Sequence, residues 1–291
     1  MANRRSFLKT SALFTAGILA APHLYAYDPK KNIGLQLYTI RDAMEKDPKA
    51  ALAKVASLGY NAVEGATYTG SQLFYNMSPA DYAKTLKDNG LIAPSSHYML
   101  GESIDVKGTI SKEWNKAVDD AAAVGTKYMV CAYLLDPERG NLDHYKATAE
   151  KFNKAAEVCK KAGIQFCYHN HDFEFEAQDG KYPFDVLLDN TDKNLVKFEL
   201  DLYWATRANQ DPLTLFTRHP GRFPLWHVKD MDKTADKQIT EVGNGSIDFK
   251  RIFAQSKKAG LDYFFVEQDI CPGDPFVSIQ QSISYLKKNL I

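Results

Sequence analysis

The sequence predicts an α/β fold built as a single closed (β/α)8 barrel, and three observations carry that prediction. Apolar, β-branched and aromatic runs recur eight times, at residues 33–40, 61–65, 92–100, 127–134, 164–171, 196–204, 223–229 and 263–269. Segments with helical spacing of apolar residues lie between them, and such alternation implies a parallel sheet with helices outside. The last four runs carry His, Asp or Glu at their C-terminal ends, where barrels of this kind build their sites. Eight units in roughly 260 residues match the barrel's usual size. A doubly wound open sheet is the main alternative, but it usually needs fewer strands, and no G-x-G-x-x-G follows the first run.

Each element has its own signal. The first strand places Gln36 and Tyr38 on one face, since side chains alternate with period two. The segment 49–58 is a helix rich in Ala, Leu and Val, stopped by Gly59 before a second strand ending in Glu64. Gly90 precedes the third strand, with His97 near its end. Helical spacing over 114–124 stops at Gly125, and the fourth strand ends in Tyr133 with no candidate ligand. A long helix over 145–162 stops at Gly163 before the fifth strand, Gly260 precedes the eighth, and residues 276–290 close the chain as a helix. Glycine at these stops supplies the left-handed conformation that ends a helix. No linker, low-complexity run or composition shift divides residues 27–291, which read as one barrel domain.

The N-terminus reads differently. Arg4-Arg-Ser-Phe-Leu-Lys9 precedes a mostly apolar run over 12–21 and a small residue, Ala26, at a plausible cleavage point. Paired arginines before such a run resemble a twin-arginine signal peptide over residues 1–26. The run is short for an anchor, so the expectation is export to the periplasm with no membrane attachment after cleavage. Lys+Arg and Asp+Glu stand at 36 each, so no general attraction to nucleic acid is expected. Cys131, Cys159, Cys167 and Cys271 show no C-x-x-C and read as buried small hydrophobes; Cys131 and Cys167 fall on neighbouring strands, and their pairing is left open.

The chemistry collects at the strand ends. Cys167, His169 and His171 share a face of the fifth strand, and Glu199, Asp201 and Tyr203 share one on the sixth. His227 and Lys229 follow on the seventh, and Glu267 ends the eighth, with Asp269 two residues on. Carboxylates inside apolar strands are costly unless paired. His169, Asp201, His227 and Glu267 make a mixed N/O set that suits one divalent ion, Mn, Zn, Co, Fe or Mg. The competing reading is a set of buried ion pairs. Glu199 lies a layer deeper than Asp201, as an acceptor for a ligand rather than a ligand. Glu267, His171 and Lys229 are the candidate proton carriers. Gln36, Glu64, His97, Trp204 and Asp230 are candidates for binding substrate, Trp204 by stacking on a sugar ring. Val242-Gly-Asn-Gly-Ser-Ile-Asp248 could cradle a phosphate, but reads better as an ordinary turn with a helix cap.

Five of these pieces, Tyr168-His-Asn-His-Asp-Phe-Glu174, Glu199-Leu-Asp-Leu-Tyr-Trp204, Trp226-His-Val-Lys-Asp230, Gly243-Asn-Gly-Ser-Ile-Asp248 and Val266-Glu267, together resemble the xylose isomerase-like TIM-barrel family, often named sugar phosphate isomerases/epimerases. The resemblance covers nearly all of residues 30–291. It implies one divalent ion held by Glu, Asp, His and Glu from strands five to eight. Asp201, His227 and Glu267 take the last three places, and His169 stands where ketose epimerases of the family have their first glutamate. The implied chemistry is removal of a proton next to a carbonyl through an enediolate. Reprotonation then gives isomerisation or epimerisation. Loss of a β-substituent instead gives elimination, the route of inosose dehydratases and of lyases acting on 3-keto-glycosides. The expected function is therefore a metal-dependent isomerase/epimerase-like enzyme acting on a non-phosphorylated sugar. The alternative is a β-eliminating lyase or dehydratase, and a non-catalytic sugar-binding barrel is more remote. An endonuclease IV-like hydrolase would want a basic groove that this charge balance does not supply. The expected partner is a small carbohydrate, with oligomerisation left open.

Overall fold

The computed structural model describes residues 32–291, so the expected signal peptide lies outside the described residues. Eight parallel strands close into a barrel: β1 (Gly34–Gln36), β2 (Ala62–Gly65), β3 (Ile92–Tyr98), β4 (Tyr128–Cys131), β5 (Gln165–His169), β6 (Val196–Asp201), β7 (Leu225–Val228) and β10 (Tyr263–Val266). A two-stranded antiparallel ribbon of β8 (Asp230–Met231) and β9 (Ile239–Thr240) rises from the connection after β7. The ring closes where β1 pairs with β10, Gly34 opposite Phe265. Only glycine fits there, because a Cβ on Gly34 would lie 2.6 Å from the carbonyl oxygen of Phe264.

Helices pack outside as the apolar periodicity requires. Leu142–Lys161 starts on Asn141, whose side chain accepts from the His144 amide, and turns Tyr145, Ala149, Phe152 and Ala156 inward. Phe152 lies 5.4 Å from the ring of Phe166 and 5.1 Å from that of Tyr168, both on β5. Truncating such a buried aromatic to alanine costs about 3–5 kcal/mol. Gly163, at φ +74°, ends this helix and starts the turn into β5.

Inside the barrel a separate small cluster of Val130, Cys167, Leu225, Tyr263 and Phe265 forms an apolar floor. Cys167, Leu225 and Phe265 each precede a candidate ligand by two residues, so the floor lies one pleat below the polar layer.

Several strands are shorter than the apolar runs that announced them. β1 stops at Gln36, and Tyr38 sits on a 3-10 turn. β5 stops at His169, leaving His171 on the following loop. β6 stops at Asp201, which caps the helix Leu202–Arg207. The expectation that Tyr203 continues the face of Glu199 and Asp201 is therefore corrected: Tyr203 and Trp204 belong to a helix, nucleated by the Asp201 side chain. All four cysteines are free thiols, Cys131 and Cys167 included.

Candidate metal centre

β5, β6, β7 and β10 deliver His169, Asp201, His227 and Glu267 to one point at the barrel mouth. One ligand atom from each lies within 4.8 Å of all the others. The local folding aims them. His169 Nδ1 meets the carbonyl oxygen of Ala132 at 3.0 Å, which leaves Nε2 turned inward. Asp201 Oδ1 accepts from the Trp204 amide at 2.8 Å, and the Asp201 amide donates to Asn170 Oδ1 at 3.1 Å, which leaves Oδ2 for the centre. His227 Nε2 lies 2.7 Å from Glu64 Oε2, which leaves Nδ1. His169 Nε2, Asp201 Oδ2, His227 Nδ1 and Glu267 Oε2 are all buried and make no aligned hydrogen bond, although His227 Nδ1 lies 2.9 Å from Glu267 Oε2 and His169 Nε2 3.5 Å from Asp201 Oδ2. Buried polar atoms are rarely left so. Four such atoms converging, two nitrogens and two oxygens, with the partner atoms of His169, Asp201 and His227 fixed behind them, fit a divalent ion of the Mn–Zn kind.

The charges around the point are also arranged. Lys229 Nζ sits 2.7 Å from Glu267 Oε2 and 3.2 Å from Asp201 Oδ2. It is aligned as a hydrogen bond only with Asp269, at 3.0 and 3.1 Å. Burial works against its charge, but Asp201, Asp269 and Glu267 outweigh burial and hold the ammonium well above its usual pKa. Burial likewise works against ionised Asp201 and Glu267, yet the Lys229 charge, with the histidines, keeps both well below the carboxylate range. His171 is the opposite case: burial, then the nearby His169 and Lys229, push it well below its usual value and keep it neutral. Its Nδ1 is buried and unpartnered. A cavity of about 400 Å³ opens over these groups and is also lined by Tyr38, Tyr133 and Asp269.

A second polar layer lies beneath. His97 Nε2 is 2.8 Å from Glu199 Oε2, and Gln36 Nε2 donates to Glu64 Oε2 at 2.8 Å. Glu64 and Glu199 are both fully buried against His227 Nε2, at 2.7 and 3.4 Å, so each disfavours the charge of the other. Burial raises Glu64, but His97 and His227 bring it down to about 2. Burial and the charge of Glu64 drive Glu199 well up from the usual carboxylate range. Ligand atoms of Glu64, His97, Glu199 and His227 also come within 4.8 Å of one another. Here His97 Nε2 pairs with Glu199 Oε2 and His227 Nε2 with Glu64 Oε2, and Glu199 Oε1 alone of the carboxylate oxygens makes no hydrogen bond.

The candidate substrate residues divide by position. His97 reaches the cavity, and Trp204 lies beside it, its ring 5.5 Å from that of His171. Gln36 and Glu64 are fully buried under His227 and spend their hydrogen bonds there. Asp230 is spent elsewhere: Oδ2 accepts from the Gly243 and Gly245 amides at 2.9 and 3.1 Å, and Oδ1 from Met231 and Ile247 at 2.8 and 3.2 Å. The glycine-rich loop is thus a turn closed on the protein's own carboxylate, and Asp248 caps the helix after it, accepting from the Arg251 amide at 3.0 Å. Two residues matter more here than their sequence signal suggests. Asp269 holds Lys229, and its one signal is its spacing of two from Glu267. Glu174 accepts from the His171 amide at 2.9 Å and from the Tyr168 hydroxyl, fixing the turn that carries His171.

The sequence profile described as the xylose isomerase-like TIM barrel matches residues 52–289. The chain belongs to this family. Among solved structures of the xylose isomerase-like barrel, a sugar phosphate isomerase/epimerase from Parabacteroides distasonis ATCC 8503 is 32% identical, with a TM-score of 0.76 over 91% of this chain and 96% of that one. The IolI protein crystallised with a zinc atom shares the fold at 15% identity and TM-score 0.68, over 88% and 97% of the two chains. An inosose dehydratase of Geobacillus kaustophilus (strain HTA426) is 23% identical over 276 residues, 81% of this chain and 85% of that one. Against the inosose dehydratase of Lacticaseibacillus casei, 26% identical, the chain spans only about half the length, 54% of that protein and 50% of its own.

Proposed function

We propose that the protein is a divalent-metal-dependent enzyme that removes a proton from the carbon next to a carbonyl of a non-phosphorylated sugar. The observation that carries this reading is the convergence of four buried N and O atoms that make no aligned hydrogen bond, beside a neutral imidazole and a buried ammonium, with His169, His171, Lys229 and Glu267 lining one cavity. An ion held by His169, Asp201, His227 and Glu267 would supply Lewis acidity, offsetting negative charge on a carbonyl oxygen as the proton leaves. Glu267 is placed to take the proton, and neutral His171, with Nδ1 free, shares that role from the loop after β5. Lys229, held charged, is the hydrogen-bond donor to negative charge developing on a carbonyl or departing oxygen. Among the described residues that line the cavity, Lys229 is the one Lys or Arg, and three carboxylates already claim it. That arrangement favours a neutral sugar over a phosphorylated one.

Return of the proton gives an isomerase or epimerase. Elimination is the second reading, and one observation favours it. Glu267 stands at the end of β10, while the end of β5 on the other side of the cavity carries His169 rather than an acid. Elimination needs one base and one acid; epimerisation needs a matched pair on opposite faces. Similarity to inosose dehydratases supports the same route. The test is NMR of an inosose and of a free ketose in D2O with the metal-loaded protein. Solvent deuterium should enter the carbon next to the carbonyl, and Glu267→Gln should slow that exchange by about 10²-fold or more. Product formation without exchange would remove the mechanism. The Arg4-Arg5 motif further supports export to the periplasm by the twin-arginine route; undiminished export after both arginines become lysine would remove that proposal.

A further inference from the structure

We infer that His97 is a further catalytic residue, the acid that protonates the departing oxygen, and that Glu199 positions it. This rests on the elimination reading above and supplies the acid that reading requires. The argument starts from a likeness within the polar layer. Two imidazole rings stand there side by side, His97 and His227, with centroids 5.3 Å apart and planes 24° apart. Each is held at Nε2 by a buried carboxyl group, His227 by Glu64 at 2.7 Å and His97 by Glu199 at 2.8 Å. Each ring therefore turns Nδ1 away from its carboxyl group. For His227 that nitrogen is one of the four atoms converging on the metal centre. For His97 it is the nitrogen left for the cavity, which His97 lines and Gln36, Glu64, Glu199 and His227 do not.

The two carboxyl groups are braced differently. Glu64 accepts from Gln36 Nε2 and Ser95 Oγ, which fixes it as the acceptor behind His227. Glu199 makes one aligned side-chain hydrogen bond, to His97, and its Oε1 makes none. A carboxyl group behind an imidazole orients the ring and offsets charge that develops on it. The other histidines at the mouth lack this arrangement. His169 spends Nδ1 on the Ala132 carbonyl oxygen and turns Nε2 to the metal centre. His171 sits on a loop, and its one bond to a carboxylate is made by its backbone amide. Position fits as well. β3 stands three strands from β10 around the ring, so His97 and Glu267 face the cavity from different walls. In the step, the C–H bond next to the carbonyl breaks and its proton goes to Glu267. The electron pair left behind forms the new C=C bond as the C–O bond to the β-hydroxyl breaks. His97 Nδ1–H gives its proton to that oxygen, which leaves as water, and the proton of the Glu199–His97 hydrogen bond settles on Nε2. The dyad ends one proton short and Glu267 one proton up, and exchange with solvent restores both.

The test is NMR of scyllo-inosose in D2O with the metal-loaded protein, following two rates separately: deuterium entry next to the carbonyl, and formation of the dehydrated product. His97→Gln, which keeps a donor in place of Nε2, should keep or raise the exchange and slow dehydration by about 10²-fold or more. Glu199→Gln should show the same split, and Glu267→Gln should lose both rates. A ring that served only to brace the metal centre would instead lower both rates together, along with metal content. Circular dichroism identifies a variant that fails to fold, and the split in the other then decides. Unchanged dehydration in folded His97→Gln, or two rates falling in parallel, overturns this inference and leaves the proton-abstraction reading standing. Exchange by wild type without dehydration overturns elimination and this inference together. A wild type that does neither removes proton abstraction as well.

Discussion

Glu174 is a carboxylate with no exposure, and its two bonds hold the turn that carries His171. Burial raises its pKa from 4.5 to about 7, against the opposing pull of those bonds. A raised carboxylate contributes stability that is fully present below the unfolded pKa and is lost as pH climbs through the folded one. Wild type should therefore lose up to about 3 kcal/mol between roughly pH 4.5 and 7 relative to Glu174→Gln. Urea denaturation of both proteins at pH 5 and pH 8 measures this, and parallel changes in the two would contradict it. At this scale much of the site was legible. His169, Asp201, His227 and Glu267 stand at strand ends with the inward parity, and the structure brings them together. Depth was less legible. Period two assigns a face but not a layer, so Gln36 and Glu64 read like mouth residues although they lie beneath His227.

The same limit appears in whole elements, where apolar runs overstated the strands. Residues 202–204 are as apolar as the strand before them, but Asp201 stops the strand by capping the next helix. Hydrophobicity cannot separate a buried strand from the buried first turn of a helix; the cap residue can. Asp230 makes the point energetically. Its carboxylate accepts four amides from the turn and ribbon after β7. Gly245 is required beside it, since a Cβ there would lie 2.2 Å from Oδ1. Asp230→Ala strands two buried donors, the Met231 and Ile247 amides, that each cost about 1–3 kcal/mol when unpaired. The expected loss is on the order of 3 kcal/mol or more in denaturation free energy, with sugar affinity of the folded protein little changed. A variant of wild-type stability with weakened sugar binding would instead return Asp230 to the substrate.

At the scale of the molecule, the barrel was the most legible feature, because eight strand signals and their glycine stops repeat along the whole chain. The site then depends on closure: β5, β6, β7 and β10 are consecutive neighbours in the ring, and each supplies one of the four converging side chains. An ion bound by all four would link four adjacent strands and would have no counterpart in the unfolded chain. Binding energy would then be stability: at a free-ion concentration one hundred times Kd, the gain is about 2.7 kcal/mol. Stripping the ion with a chelator should lower the urea midpoint of wild type, and adding back Mn or Zn should restore it. Asp201→Ala separates this from general effects. It removes a helix cap, which costs about 1 kcal/mol whether or not metal is present, so its midpoint should start lower. What identifies the metal centre is the response: the variant's midpoint should move little when chelator or metal is added, while that of wild type moves by the linkage amount. Equal responses in the two proteins would place any bound ion elsewhere in the chain.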